Sequence, residues 1–220
     1  MTRVKICGIK NLQEAKLACD HGVWAIGEVF APSPRRISVE EAVQINRRLN
    51  NSVLKIGVFV DEKVEEVNRI ADRCRLDMVQ LHGDETPDYI KQIKRPVLKS
   101  LAVKGPLTMN MLEPWQVWGF IFDAPRPAGA KANGGNGVTF PWEWLEPIKG
   151  RQDIFLAGGL TAQNVGSAIH RVLPGGVDVS SGVEDFQGNK DADKIAAFMA
   201  KVRETDRDLG RLIQGRGEHE

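Results

Sequence analysis

Short apolar runs alternate with longer stretches in which apolar residues return every three or four positions, and this rhythm continues to about residue 203. Val4-Lys5-Ile6-Cys7 reads as a buried strand ended by Gly8, with Lys5 and Cys7 on one face and Val4 and Ile6 on the other. Apolar runs at 24–30, 53–60, 77–81, 96–101, 118–122, 154–156 and 177–179 predict seven more strands. Between them lie helical stripes. Leu12, Ala15, Ala18 and Cys19 form one, with Asn11 as N-cap and Gly22 as its stop. Ala42, Val43 and Leu49 form another, and Val64, Val67, Ile70 and Ala71 a third. Helices at 86–94, 108–112 and 141–148 are marked more weakly. The cleanest stripe is Val165, Ala168, Ile169, Val172 and Leu173, with Thr161 as its expected N-cap. Ile195, Phe198, Met199 and Val202 share a face of the last helix.

Eight strands too apolar to face water, each followed by a helical segment, predict an α/β fold with a parallel sheet covered by helices. The length fits a single-domain (β/α)8 TIM barrel over residues 1–203; a doubly wound open sheet is the alternative, since periodicity does not reveal closure. Residues 204–220 are charged and glycine-containing and read as a disordered tail. A net charge of +1 gives no case for a nucleic-acid partner. Three cysteines at 7, 19 and 74 make neither a disulfide framework nor a metal pattern, and the histidines show no metal spacing. With no secretion signal and no membrane span, the expectation is a cytoplasmic protein with no membrane partner.

Candidate chemistry gathers at the C-terminal ends of the strands, where parallel barrels keep their sites. Cys7 is either a small buried hydrophobe or a reactive thiol at that rim. Lys5, on a strand buried on both sides, needs a partner, and Asp178 on the eighth strand is the natural one. That pair either ties the barrel together or tunes the thiol above it. His82 ends its strand and either lines the mouth or serves structure. Glu28 needs Arg35, Arg36 or water as company. Gly158-Gly159 after the seventh strand and Ser180-Ser181-Gly182 after the eighth suit a phosphate cradle, since such turns aim several N–H groups at one point. No Walker lysine or GxGxxG follows a strand, so no nucleotide cofactor is expected. A long glycine-rich loop leaves directly from Asp123, which ends the sixth strand. Arg35, after the second strand, is either a solvated loop residue or a planar cation for a carboxylate.

Seven motifs carry a resemblance. They are Lys5-Ile6-Cys7-Gly8-Ile9, Phe30-Ala31-Pro32-Ser33-Pro34-Arg35, Val79-Gln80-Leu81-His82-Gly83, Phe122-Asp123, Gly134-Gly135-Asn136-Gly137-Val138-Thr139-Phe140, Leu156-Ala157-Gly158-Gly159-Leu160 and Val177-Asp178-Val179-Ser180-Ser181-Gly182-Val183-Glu184. In this order they make the chain resemble the phosphoribosylanthranilate isomerase family over roughly residues 3–203. The resemblance implies an Amadori rearrangement of N-(5-phosphoribosyl)anthranilate to a carboxyphenylamino-deoxyribulose phosphate, a step of tryptophan biosynthesis. It implies Asp123 as general acid and Cys7 as general base, and puts Arg35 against the anthranilate carboxylate. His82 and Gly135 fall at substrate-binding positions, and Gly158, Gly159, Ser180 and Ser181 at the phosphate site. No metal and no cofactor is implied.

The chain departs from the family pattern at Glu28 (usually apolar), Arg36 (usually aromatic), Asn136 (Ser or Thr), Val138 (Lys) and in the length of the loop after Asp123. These changes are expected to cluster at the mouth and to bear on affinity and loop closure rather than reaction type. Two rivals stand beside this reading: a histidine-pathway sugar isomerase acting on a two-phosphate substrate, and a phosphate-binding barrel with weakened catalysis. The expected partner is a small phosphorylated sugar-anthranilate, and monomer and homodimer are both open.

Overall fold

The computed structural model describes residues 1–49, 53–125 and 139–217, with side chains as far as residue 210. Eight parallel strands pair in sequence order and close into a barrel, so the open-sheet alternative is set aside. They are β1 (Arg3–Cys7), β2 (Ala25–Val29), β3 (Leu54–Phe59), β4 (Met78–Leu81), β5 (Val97–Ala102), β6 (Gly119–Asp123), β7 (Ile154–Leu156) and β8 (Gly176–Val179). Closure pairs β1 with β8 and sets Lys5 opposite Asp178.

The helices form where the sequence supplies both an apolar face and a start signal. In α1 (Leu12–Asp20) the Asn11 side chain accepts from the Glu14 N–H, and the chain turns away at Gly22. In α2 (Val39–Arg48) Ser38 and Glu41 form a reciprocal capping box, and Ala42 and Ile45 are buried. Val67, Ile70, Ala71 and Cys74 bury the inner face of α3 (Val64–Cys74). The weakly marked segments give weaker structures. The 86–94 stretch yields only α4 (Pro87–Ile90), while Met109–Met111 and Trp142–Ile148 are 3-10 turns, the second holding Pro147. In α5 (Val165–Val172) Asn164 precedes the helix rather than the expected cap Thr161; Asn164 Oδ1 accepts from the Thr161 N–H at 2.8 Å.

The segment expected to fray from residue 204 instead continues the last helix, α6 (Ala192–Gly217). Composition alone misread it. Each added helical residue makes one more backbone bond at no new nucleation cost, and the middle of the helix is anchored. Thr205 is buried, and Asp206 accepts from the N–H and hydroxyl of Thr2 at 2.8 and 2.6 Å. No helix among the described residues is long and apolar enough to cross a membrane.

Inside the barrel, alternation stacks the inward residues in layers. The floor is Arg3, whose guanidinium lies 5.3–5.6 Å from the ring centres of Trp24, Trp118 and Phe155. It also donates to the carbonyls of Gln152 and Gly175. Ala25, Ile56, Met78, Leu98 and Ile121 pack above it, and the polar residues come last, at the mouth. Glu28 does not belong to them. It points outward from β2, where Asn46 of α2 donates to it at 3.0 Å, so neither Arg35 nor Arg36 is its company. Its departure from the family pattern is therefore remote from the mouth. The loop holding Gly135, Asn136 and Val138 lies outside the described residues.

Candidate active site

A cavity of about 230 Å³ opens at the C-terminal end of the barrel. Cys7, Arg35, His82, Asp123, Gly158, Gly159, Ser180 and Ser181 all line it, so these sequence-predicted residues converge on one space. Asp178 and Gln80 line it as well, while Arg36 is exposed and does not.

Cys7 ends β1 as an inward residue opposite Gly27 of β2. A Cβ on Gly27 would stand 2.8 Å from Cys7 Sγ and 3.1 Å from Lys5 Nζ, so the missing side chain is what gives the thiol and ammonium their room. Lys5 is fully buried and donates to Asp178 Oδ1 at 2.9 Å. Burial acts to lower the Lys5 pKa, but the charges of Asp178 and Cys7 outweigh it and raise it, so the ammonium keeps its proton. The Cys7 thiol moves up from its ordinary value because burial disfavours the thiolate, while Lys5 pulls the other way.

Asp123 ends β6 and is buried, with Oδ1 accepting from the Ala124 N–H at 2.8 Å. Burial, with Asp178 adding its negative charge, pushes the carboxyl up to about 6. His82 Nε2 stands 3.6 Å from Asp123 Oδ2. Burial lowers the imidazole to about 4, so it is neutral at pH 7 and meets Asp123 as a dipole rather than a cation.

Gly158 and Gly159 have φ of +85° and +58°, the left-handed region glycine enters without strain. A Cβ on Gly158 would press within 2.8 Å of the Ala124 nitrogen, beside the acid. The facing turn starts the 3-10 segment Ser181–Val183, and the Ser180 hydroxyl donates to the Cys7 carbonyl at 3.0 Å. Two turns of this kind lining one cavity suit a phosphate dianion.

Two residues with no assigned part in the sequence reading join the rim. Glu184 accepts from Arg35 Nε and Nη2 at 2.7 and 2.8 Å, and Lys190 donates to Glu184 at 2.6 Å. Glu184 stood within a recognised motif; Lys190 carried no signal. The described residues contain no cluster of metal-ligating side chains.

A profile of the family described as N-(5′-phosphoribosyl)anthranilate (PRA) isomerase matches residues 4–201. An N-(5′-phosphoribosyl)anthranilate isomerase of Syntrophomonas wolfei is 52% identical over 204 residues, covering 93% of this chain and 98% of its own length. The phosphoribosyl anthranilate isomerase of Thermus thermophilus superposes with a TM-score of 0.83 at 36% identity, covering 92% of this chain and 99% of that one. A solved phosphoribosyl anthranilate isomerase in complex with reduced 1-(o-carboxyphenylamino)-1-deoxyribulose 5-phosphate matches with a TM-score of 0.80 at 36% identity, covering 92% of this chain and 99% of that one. The chain belongs to the N-(5′-phosphoribosyl)anthranilate isomerase family, the isomerases of tryptophan biosynthesis.

Proposed function

We propose that Asp123 and Cys7 perform the rearrangement of N-(5′-phosphoribosyl)anthranilate as general acid and general base. Protonated Asp123 gives its proton to the furanose ring oxygen, the C1′–O bond breaks, and the anilino nitrogen's lone pair forms the C1′ iminium. The Cys7 thiolate then takes the C2′ proton. The electrons of that bond form a C1′–C2′ double bond and neutralise the nitrogen, and the enolamine tautomerises to the C2′ ketone. Redox state and composition are conserved overall, so the two side chains suffice.

The observation that carries this reading is the shared cavity: a carboxyl held at about 6 and a thiol on a neighbouring lysine face one space. Reaction requires Asp123 protonated while Cys7 is ionised, a minority state at neutral pH that Lys5 helps populate. The Gly158-Gly159 and Ser180-Ser181 turns take the phosphate, Arg35 the aryl carboxylate, and neutral His82 supports the acid. No nucleic acid or membrane partner enters this reading, and the cytoplasm is the compartment it assumes.

Cys7→Ser tests it, because a hydroxyl in place of the thiol is a far poorer base. Turnover should fall by about 10²–10⁴-fold with the thermal melt little changed. Near-normal turnover in that variant removes Cys7 from the mechanism.

A further inference from the structure

Glu184 and Lys190 take no part in the chemistry described above, yet both are buried against it. Glu184 grips Arg35 side-on, through Nε at 2.7 Å and Nη2 at 2.8 Å. Behind it, Lys190 Nζ lies 2.6 Å from Glu184 Oε1 and 3.2 Å from the Ser180 carbonyl. The Ser180 hydroxyl approaches the same carboxylate oxygen at 3.3 Å. Burial by itself would raise the Glu184 carboxyl, but hydrogen bonds and charge from Arg35 and Lys190 bring it down to about 2, so it stays ionised.

A guanidinium offers two edges that can each hold a planar oxyanion, the Nε–Nη2 side and the Nη1–Nη2 end. Glu184 fills the side. The end is left for a second carboxylate, and Arg35 lines the active cavity. Charge points the same way. Two cations share one carboxylate here, leaving a net +1 at a largely buried rim, where an arriving anion restores the balance. A lysine at position 35 would lack the geometry to serve both partners in one plane.

We propose that Glu184, backed by Lys190, is a positioning residue that aims the free end of Arg35 at the substrate's aryl carboxylate and so sets the preference for a carboxylated aromatic amine. The inference rests on the reading of Arg35 given under Proposed function. It adds the residues that make one rotamer of Arg35 the working one, reached from a chain position 149 residues away.

The test compares phosphoribosylanthranilate with its analogue lacking the carboxylate, N-(5-phosphoribosyl)aniline, in the wild type, Glu184→Gln and Arg35→Ala. Glu184→Gln should raise KM for the carboxylated substrate by about tenfold or more, change kcat much less, and leave KM for the aniline analogue within about twofold. An equal rise on both substrates, or no rise on either, overturns the proposal. Arg35→Ala separates the two levels. If it discriminates between the substrates while Glu184→Gln does not, only the positioning role falls; if it affects both alike, the Arg35 assignment falls first. Should Glu184→Gln melt below the assay temperature, Glu184→Asp carries the test. It keeps the charge but draws the carboxylate back by one methylene, and the same split is expected at smaller amplitude.

Discussion

Glu28 and Asp123 are both buried carboxyl groups on barrel strands, and burial holds the proton on each above its ordinary range, at about 7 and about 6. Their surroundings differ completely. Glu28 faces outward into the layer between β2, α2 and α3, where Asn46 donates to one oxygen. Asp123 faces a cavity shared with a thiol, an imidazole and two glycine turns. A displaced pKa therefore records desolvation and does not by itself record function. What separates the two is whether a substrate atom can come within reach.

Substitution should split the pair cleanly. Asp123→Asn removes the proposed proton donor and is expected to lower kcat by about 10²–10⁴-fold while the protein stays folded. Glu28→Gln should leave kcat within about twofold. A large activity loss in Glu28→Gln would bring that residue into the mechanism and erase the contrast.

Stability should treat the pair alike, since burial raises both carboxyls, and Glu28 shows the effect away from the cavity. The folded value of Glu28 lies above its ordinary 4.5, so folding favours the protonated form. That contribution is fully present below about pH 4.5, fades as pH rises through about 7, and is absent above. Glu28→Gln keeps the group neutral throughout, so at pH 8 the variant should be more stable than the wild type by roughly 1–3 kcal/mol, and by little at pH 4.5. Denaturant melts at the two pH values check this. An equal difference at both would mean that ionisation of Glu28 is not what strains the layer.

The pH dependence of kcat/KM gives the finest distinction. With the thiol above its ordinary range and the acid at about 6, the rate should climb about tenfold per pH unit to about 6 and then level off until the thiol ionises. Glu28→Gln should superpose on this profile. An inflection near 7 that vanishes in Glu28→Gln would couple the outer layer to the site.

The alternation of apolar runs and helical stripes is enough to read the barrel from the chain, because buried strands and amphipathic helices write their periods directly. The rim residues were legible for the same reason, as polar groups at the ends of apolar runs. Legibility failed where structure depends on partners distant in sequence. Glu184 holds Arg35 across 149 positions, and no local pattern announces that bond. Around 108–112 and 141–148 the stripe is too short, or broken by Pro147, to set a full helix, and the chain settles for 3-10 turns. Glu28 is an instructive miss. Alternation along β2 already turned it away from Ala25, Gly27 and Val29, and only the attraction of two nearby arginines suggested the mouth. The tail from residue 204 was misjudged on composition, which carries no record of Thr2 waiting to bind Asp206.

The floor built from Arg3 and three aromatic rings has a kinetic corollary. With the barrel interior packed from this floor up to the cavity, the molecule that has just reacted departs through the doorway its successor uses. Traffic is then single-file, and an accumulating ketose should compete with fresh glycosylamine for the same threshold instead of leaving by a rear exit.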